Sequence, residues 1–301
     1  MKRRKFIQAG MVAGGLMVLP GWTRLAFGAT PATAPDLVAV MGGEPEAMFE
    51  KAIQAMGGMQ AFVKKGQKVV IKPNIGWDAS PERAANTNPG LVGRIVKHCI
   101  DAGAREVYVF DHTCDKWDKC YINSGIEKAA KDRGAKMIPA HLESYYQEVS
   151  VPGVKLLKTT KVHEIILQSD VFINVPILKH HSSTELSIGI KNLMGIVWDR
   201  GWWHRNGLNR AIADFLAWRK PDLTIVDAYR IMKKNGPRGV SVADTALTKM
   251  LVISRDVVAA DAASAKIFGT EPSEVEYIRL AAADGFGRLD LDKMNIQRLK
   301  M

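Results

Sequence analysis

Val69-Val70-Ile71-Lys72-Pro73-Asn74, then Asn88-Pro89, then Val107-Tyr108-Val109-Phe110-Asp111: three pieces of one stretch decide the fold. The first is a short apolar run stopped by a proline, the pattern of a buried strand. Asn88 is a good N-cap and Pro89 suits the first helical position. Val92, Ile95, Val96 and Cys99 then recur on one helical face, and Gly103 closes the helix. The third piece is a second buried strand, ending at Asp111. Strand, helix and strand at this spacing predict a parallel crossover.

The pattern continues outward. Ser124 to Arg133 reads as a helix stopped by Gly134, and Lys136-Met137-Ile138 as a strand. Glu148 to Val162 alternates and turns at Pro152-Gly153, which predicts a β-hairpin. A short helix follows over 163–168. Val171 to Pro176 is a buried strand, carried on to Leu178. Asn209 to Trp218 is helical, and Lys220-Pro221 ends it. Leu223 to Val226 and Met250 to Ile253 are strands; Val258 to Phe268 and Ser273 to Ala283 are helices. The expected class is α/β: a largely parallel, mixed-edge sheet with helices on both faces and one β-hairpin insertion.

The 301 residues are 47% hydrophobic and 24% charged, which excludes disorder and a polytopic membrane protein. Met1-Lys2-Arg3-Arg4-Lys5-Phe6-Ile7 opens the chain, and a short apolar run from Ala9 to Leu19 follows. Arg-Arg, one residue, Phe and an apolar residue form a twin-arginine export pattern over residues 1–28, with cleavage expected after Gly28. A linker over 29–36 and a single α/β domain over 37–301 complete the expected organisation. The implied partner is the twin-arginine translocase, and the implied location is periplasmic or otherwise exported. No permanent membrane span is expected after cleavage. Residues 1–28 hold five basic residues and no acid, leaving +6 of the net +11 for the remainder. No Lys/Arg block demands nucleic acid.

In open α/β sheets ligands bind beyond the carboxyl ends of the strands. Lys72 and Asn74 fall after the first strand, and Asp111 and His112 after the second. Lys179, His180 and His181 follow Val171–Leu178, and Asp227 and Arg230 follow Leu223–Val226. Of His180 and His181, one should face solvent, since neighbours in an extended segment point opposite ways. Lys191 and Asn192 sit in a glycine-flanked apolar stretch, 187–195. Trp198 to Gly207 holds three of the seven tryptophans beside His204. It reads as a lid or stacking wall, or equally as core. Cys114 and Cys120 admit a disulfide, a metal pair with His112, or two free thiols. Three cysteines cannot hold an all-cysteine iron–sulfur cluster. The phosphate-loop, dinucleotide, zincin and serine-hydrolase motifs are absent.

Several stations in this order resemble the family catalogued as domain of unknown function 362. They are Ile71-Lys72-Pro73-Asn74, Thr87-Asn88-Pro89, Pro176 to His180, Lys191 to Gly195, His204, Ile212-Ala213-Asp214, Asp227-Ala228, Gly236 to Gly239 and Ala259 to Ala262. The resemblance spans roughly residues 36–290 and implies the α/β fold and the site positions. Similar proteins are often exported, and some carry ferredoxin-like segments that this chain lacks.

The leading expectation is an enzyme with a Lys/His/Asp cleft acting on an anionic ligand. Lys72, Lys179 and Lys191, with Asn74, Asn192 and Arg230, would bind the anion. His180 and His204 would serve as acid/base or as ligands of a single metal ion; Asp111 and Asp227 would hold the metal or orient a histidine. Three lysines repel a cation, so the anion outweighs the metal. The alternatives are a non-catalytic binding protein for an anion or metallocofactor, and an accessory of a redox complex.

Overall fold

Residues 68–109 fold as strand, helix and strand. The structure, a computed structural model, describes residues 34–301, which form one unit. The export signal expected over 1–28 lies outside the described residues. The strands are β1 (Leu37–Met41), β2 (Lys68–Pro73), β3 (Glu106–Val109), β4 (Lys136–Met137), β5 (Tyr146–Ser150), β6 (Thr159–His163), β7 (Val171–Val175), β8 (Ile177–His181), β9 (Glu185–Ser187), β10 (Leu223–Met232), β11 (Thr245–Ser254) and β12 (Ile296–Lys300). The helices are α1 (Pro45–Ala55), α2 (Pro89–Asp101), α3 (Trp117–Asn123), α4 (Ile126–Lys131), α5 (Glu164–Leu167), α6 (Gly189–Asn192), α7 (Arg200–Asn206), α8 (Leu208–Asp214), α9 (Val257–Phe268) and α10 (Glu276–Ala283).

The main sheet runs β12-β1-β11-β10-β7-β2-β3-β4, with β8 on β10 and β9 on β8. From β10 through β7, β2 and β3 to β4 every pairing is parallel. β11 runs antiparallel to both β1 and β10, so the reversed strand lies inside the sheet, while the marginal β12 pairs parallel with β1. Apolar side chains bury both faces. Val69, Ile71 and Ile173 pack under α1 and α2; Val70, Phe172 and Val252 pack towards α8, α9 and α10. The hairpin forms as β5 and β6, a separate two-stranded sheet.

Two local expectations change, and the alternatives for Trp198–Gly207 are divided between core and stacking. Pro176 has no N–H for a ladder and divides the expected strand: β7 stops at Val175, and β8 pairs instead with β10. β10 does not end at Asp227 but continues to Met232 through a bulge between Ala228 and Arg230. Asp227 and Arg230 are therefore mid-strand residues. The Trp198–Gly207 segment is mostly helix α7, capped by the Asp199 carboxylate accepting from Trp202 N at 2.9 Å. Trp203 is fully buried core, whereas Trp198 stacks on His112.

β2, β3 and β4 step one way from β2, while β7 and β10 step the other way. The sheet thus reverses between β2 and β7, where Lys72 pairs in register with Asn174. A crevice at the carboxyl ends of strands on either side of such a reversal is the expected ligand position.

Candidate functional site

A cleft of about 130 Å³ opens at this reversal. That is far short of the ~300 Å³ where drug-sized ligand sites begin. Lys72, Asn74, Asp111, His112, Cys114, Lys179, His181, Lys191, Asn192, Arg200 and His204 line it. A larger groove of about 860 Å³ crosses β1, β11, β12 and α9. Its walls are mostly apolar, its Lys266 and Glu271 neutralise each other, and it holds none of the acid/base candidates. Most of the candidate residues gather in the smaller cleft.

Lys72 is fully buried and fully partnered. Its ammonium meets Asp111 Oδ1, Asn192 Oδ1 and the Pro73 carbonyl, each at 2.8 Å. The other Asp111 oxygen accepts from Ile75 N at 2.7 Å. Asn192 ties this pair to the far side of the cleft: its amide donates to Asn174 Oδ1 (2.8 Å) and the Lys72 carbonyl (3.2 Å). Burial pulls the Lys72 ammonium below its ordinary range, against the attraction of Asp111. Lys72 and Asp111 thus hold the floor as an ion pair, with Asp111 Oδ1 making no hydrogen bond beyond that contact among the described residues.

Lys179 donates to Asn74 Oδ1 (3.1 Å) and to the Ala85 carbonyl (2.5 Å). Burial brings it down to about 7. Lys191 differs. It is 6% exposed, and among the described residues its ammonium reaches only the Met194 thioether at 3.4 Å, with no carboxylate and no oxygen acceptor. Thioether sulfur is a weak acceptor, so the ammonium is close to unpaired. Burial, with repulsion from Arg200, lowers it to about 8. Its position is built from below. The Asp261 carboxylate, fully buried on α9, accepts from Gly189 N (2.7 Å) and Ile190 N (2.9 Å) at the start of α6. A Cβ at Gly189 would lie 2.6 Å from that carboxylate, so glycine is required there.

The two cleft imidazoles are neutral in complementary forms. His112 Nδ1 faces the Val197 carbonyl at 2.9 Å and so carries the proton, leaving Nε2 as an acceptor. His181 Nδ1 receives Ser183 N–H at 3.1 Å and so is unprotonated, leaving Nε2–H as a donor. Burial holds both below the usual histidine range, His112 at about 4, aided by Arg200, and His181 lower still, aided by Lys191. Arg200 donates to the His112 and Thr113 carbonyls, each at 2.8 Å, and turns its guanidinium towards the cleft.

Of the residues expected from the sequence, Lys72, Asn74, Asp111, Lys179, Lys191, Asn192 and His204 come together here. His204 is exposed at the rim; partial burial and Lys191 lower it. Three do not join them. His180 turns to the loop beyond β10, where its Nδ1 accepts from Gly236 N at 3.1 Å. Lys179 faces the cleft, and strand alternation puts His181, two residues on, on the same side. Asp227 accepts from Asn88 N (2.8 Å) and Tyr229 N (3.0 Å), a brace between α2 and β10. Burial raises it to about 6. Arg230 bonds Thr245 across the ladder at 3.2 Å. Asn174, Arg200 and Asp261 were not chosen from the sequence. A lone amide inside the apolar run Val171–Val175 was the available signal for Asn174.

Among the described residues no group of three or more His, Cys, Asp or Glu side chains could hold a metal ion. The cleft's donor set is cations and amides around one engaged carboxylate, which suits an anion. Cys99, Cys114 and Cys120 are free thiols. Among the described residues no helix is long and apolar enough to cross a membrane.

A family model described as Domain of unknown function (DUF362) matches residues 69–266, well over half of the chain. Thylakoid-associated protein sll1697 from Synechocystis sp. (strain ATCC 27184 / PCC 6803 / Kazusa) is 25% identical over 238 residues, covering 76% of this chain and 71% of that protein. The lactate racemase apoprotein from Thermoanaerobacterium thermosaccharolyticum aligns with a TM-score of 0.44 and 11% identity over 71% of this chain. The chain spans about half of that structure, 53%.

Proposed function

We propose that this chain, which belongs to the DUF362 family, binds a carboxylate of a few carbon atoms in the cleft between β2 and β7 and moves a proton on it. The observation that carries this reading is Lys191, a buried ammonium without an anionic or oxygen partner among the described residues. Removing a charge from water costs several kcal/mol unless a partner offsets it, on the order of magnitudes for buried ions. Asp111 cannot be that partner, because Lys72 already engages it. A bound anion can. The cleft's size limits it to a small one, and the +6 charge outside residues 1–28 attracts it.

With the anion seated, the rest of the cleft has the parts for general acid/base work. Lys179, near 7, can exchange a proton at neutral pH. His112 is held low by burial and by Arg200; a nearby anion offsets the repulsion and raises it towards the useful range. Its Nε2 can accept a proton from the carbon beside the carboxylate. Negative charge developing there is stabilised by Lys179 and Lys191, and His181 Nε2–H supplies a neutral donor. The twin-arginine signal expected over residues 1–28 supports an exported setting.

The test is proton exchange in D2O, followed by NMR, across small 2-hydroxy, 2-oxo and dicarboxylic acids. The reading predicts protein-dependent exchange at the carbon next to the carboxylate for one class. His112→Asn should abolish exchange and keep binding; Lys191→Met should lose binding. Binding with no exchange for any acid would make this a non-catalytic binding protein. Failure of every acid to bind would sink the reading.

A further inference from the structure

We propose that Cys114 is the nucleophile at the mouth of this cleft and the site at which the protein bonds covalently to small electrophilic carboxylates. The inference rests on the anion-binding reading above and adds a reacting atom to it.

Among the described cysteines, Cys99 and Cys120 are fully buried, and burial pushes both thiols up. Cys114 is exposed and lines the cleft. Its backbone is pinned, with N–H donating to the Gly76 carbonyl at 2.8 Å. Its Sγ lies 3.6 Å from Arg200 Nη1, and that guanidinium is itself held by the two carbonyls of His112 and Thr113. The second, independent observation is Lys191, more than nine-tenths buried and without an oxygen partner in the same cleft. Lys179 and Lys191 line the same cleft as the sulfur, so negative charge developing there faces their ammonium groups. Reactive cysteines occupy such electropositive, partly exposed positions.

The cleft would hold the carboxylate while the sulfur attacks the adjoining electrophilic carbon. With a 2,3-unsaturated carboxylate, the sulfur lone pair forms the C–S bond at C3. The π pair moves to C2, which takes a proton from water, and the thiol proton neutralises the hydroxide left behind. The product is a thioether, and nothing is oxidised or reduced.

The experiment compares iodoacetate with iodoacetamide, which differ in the carboxylate and share the reacting carbon. In each, the C–S bond forms and iodide leaves. Alkylation of Cys114 is followed by mass spectrometry on the folded chain and on the chain in denaturant. The iodoacetate-to-iodoacetamide rate ratio should be about tenfold or more above that of the unfolded chain, the lower end of electrostatic concentration in a charged cleft. It should fall to the unfolded value in Lys191→Met, and unreactive malonate should protect. A folded ratio equal to the unfolded one overturns the proposal. Malonate calorimetry on the wild-type chain separates the two failures. If malonate binds while the ratio is flat, the anion cleft stands and the role of Cys114 falls. If malonate and its relatives do not bind, both fall.

Discussion

Replacing Gly195 by alanine tests how the floor of the cleft is built. Gly195 lies directly over the Lys72–Asp111 pair, and its carbonyl accepts from His112 N at 2.9 Å. A Cβ there would sit 2.5 Å from Lys72 Cε and 2.6 Å from Nζ, and closer still to Asp111 Oδ1. These atoms cannot retreat freely, because Lys72 is clamped by the Pro73 carbonyl and Asn192, and Asp111 by Ile75 N. The methyl must therefore wedge the 2.8 Å pair apart. Opening it by roughly 1.5 Å loses about 2 kcal/mol of attraction at an effective dielectric of about 20. Overpacking a tight interior costs about 1–3 kcal/mol more. A loss of roughly 3–5 kcal/mol should lower the melting temperature by about 10 °C in a domain of this size. The assay is thermal unfolding by calorimetry, with malonate binding on the same samples. Should Gly195→Ala not fold, milder Asp111→Asn and its combination with Lys72→Met report the same pair through a double-mutant cycle. A melting temperature within about 2 °C of wild type, with unchanged malonate affinity, would refute the packing argument.

Further outcomes follow from the same contacts. Asp261→Ala leaves the Gly189 and Ile190 N–H groups without their acceptor; denaturant titration should show a loss of ~2–6 kcal/mol, at ~1–3 per orphaned donor, and malonate should bind more weakly as Lys191 shifts. Asp227→Asn should cost ~1–3 kcal/mol of stability yet leave malonate affinity within about twofold, because Asp227 braces α2 and β10 away from the cleft; a large loss of affinity would return Asp227 to the site. Lys179 and Lys191 sit at about 7 and about 8 in the native chain, whereas an unfolded lysine holds its proton to about 10.4. Between about pH 8 and 10 these two lysines bind more protons in the unfolded chain and favour the fold as pH rises, while Cys99 and Cys120, kept protonated by burial, oppose them; wild-type stability should therefore rise more steeply, or fall less, with pH than that of Lys191→Met. Denaturant midpoints near each end of that window decide it.

The strand–helix–strand unit was legible because its signals are local. Asn88 caps α2 by accepting from Leu91 N three residues on, at 3.1 Å. The hairpin of β5 and β6 was legible for the same reason. The cleft's lysines were legible as polar residues at the ends of apolar runs. What the sequence concealed depends on distant partners. Asp227 looks like a strand-end carboxylate until Asn88 N, 139 residues away, is seen to occupy it. Lys191 looks like any lysine beside glycines until Asp261, on α9, is seen to anchor its helix. The choice between His180 and His181 was within reach, since alternation from Lys179 selects His181. The break at Pro176 hid that alternation, because one long strand was expected where two short ones stand.

The central claim is that Lys191 awaits an anion. The direct measurement is titration calorimetry of malonate into the wild-type chain and into Lys191→Met, near neutral pH and again near pH 8 in buffers of different ionisation enthalpy. The account predicts binding to wild type with proton uptake near pH 8, since the anion holds protons on Lys179 and Lys191. It also predicts a loss of about 10–100-fold in Lys191→Met, the worth of a hydrogen bond to a charged group. Malonate binding that is equally tight in Lys191→Met, with no proton taken up, would contradict it.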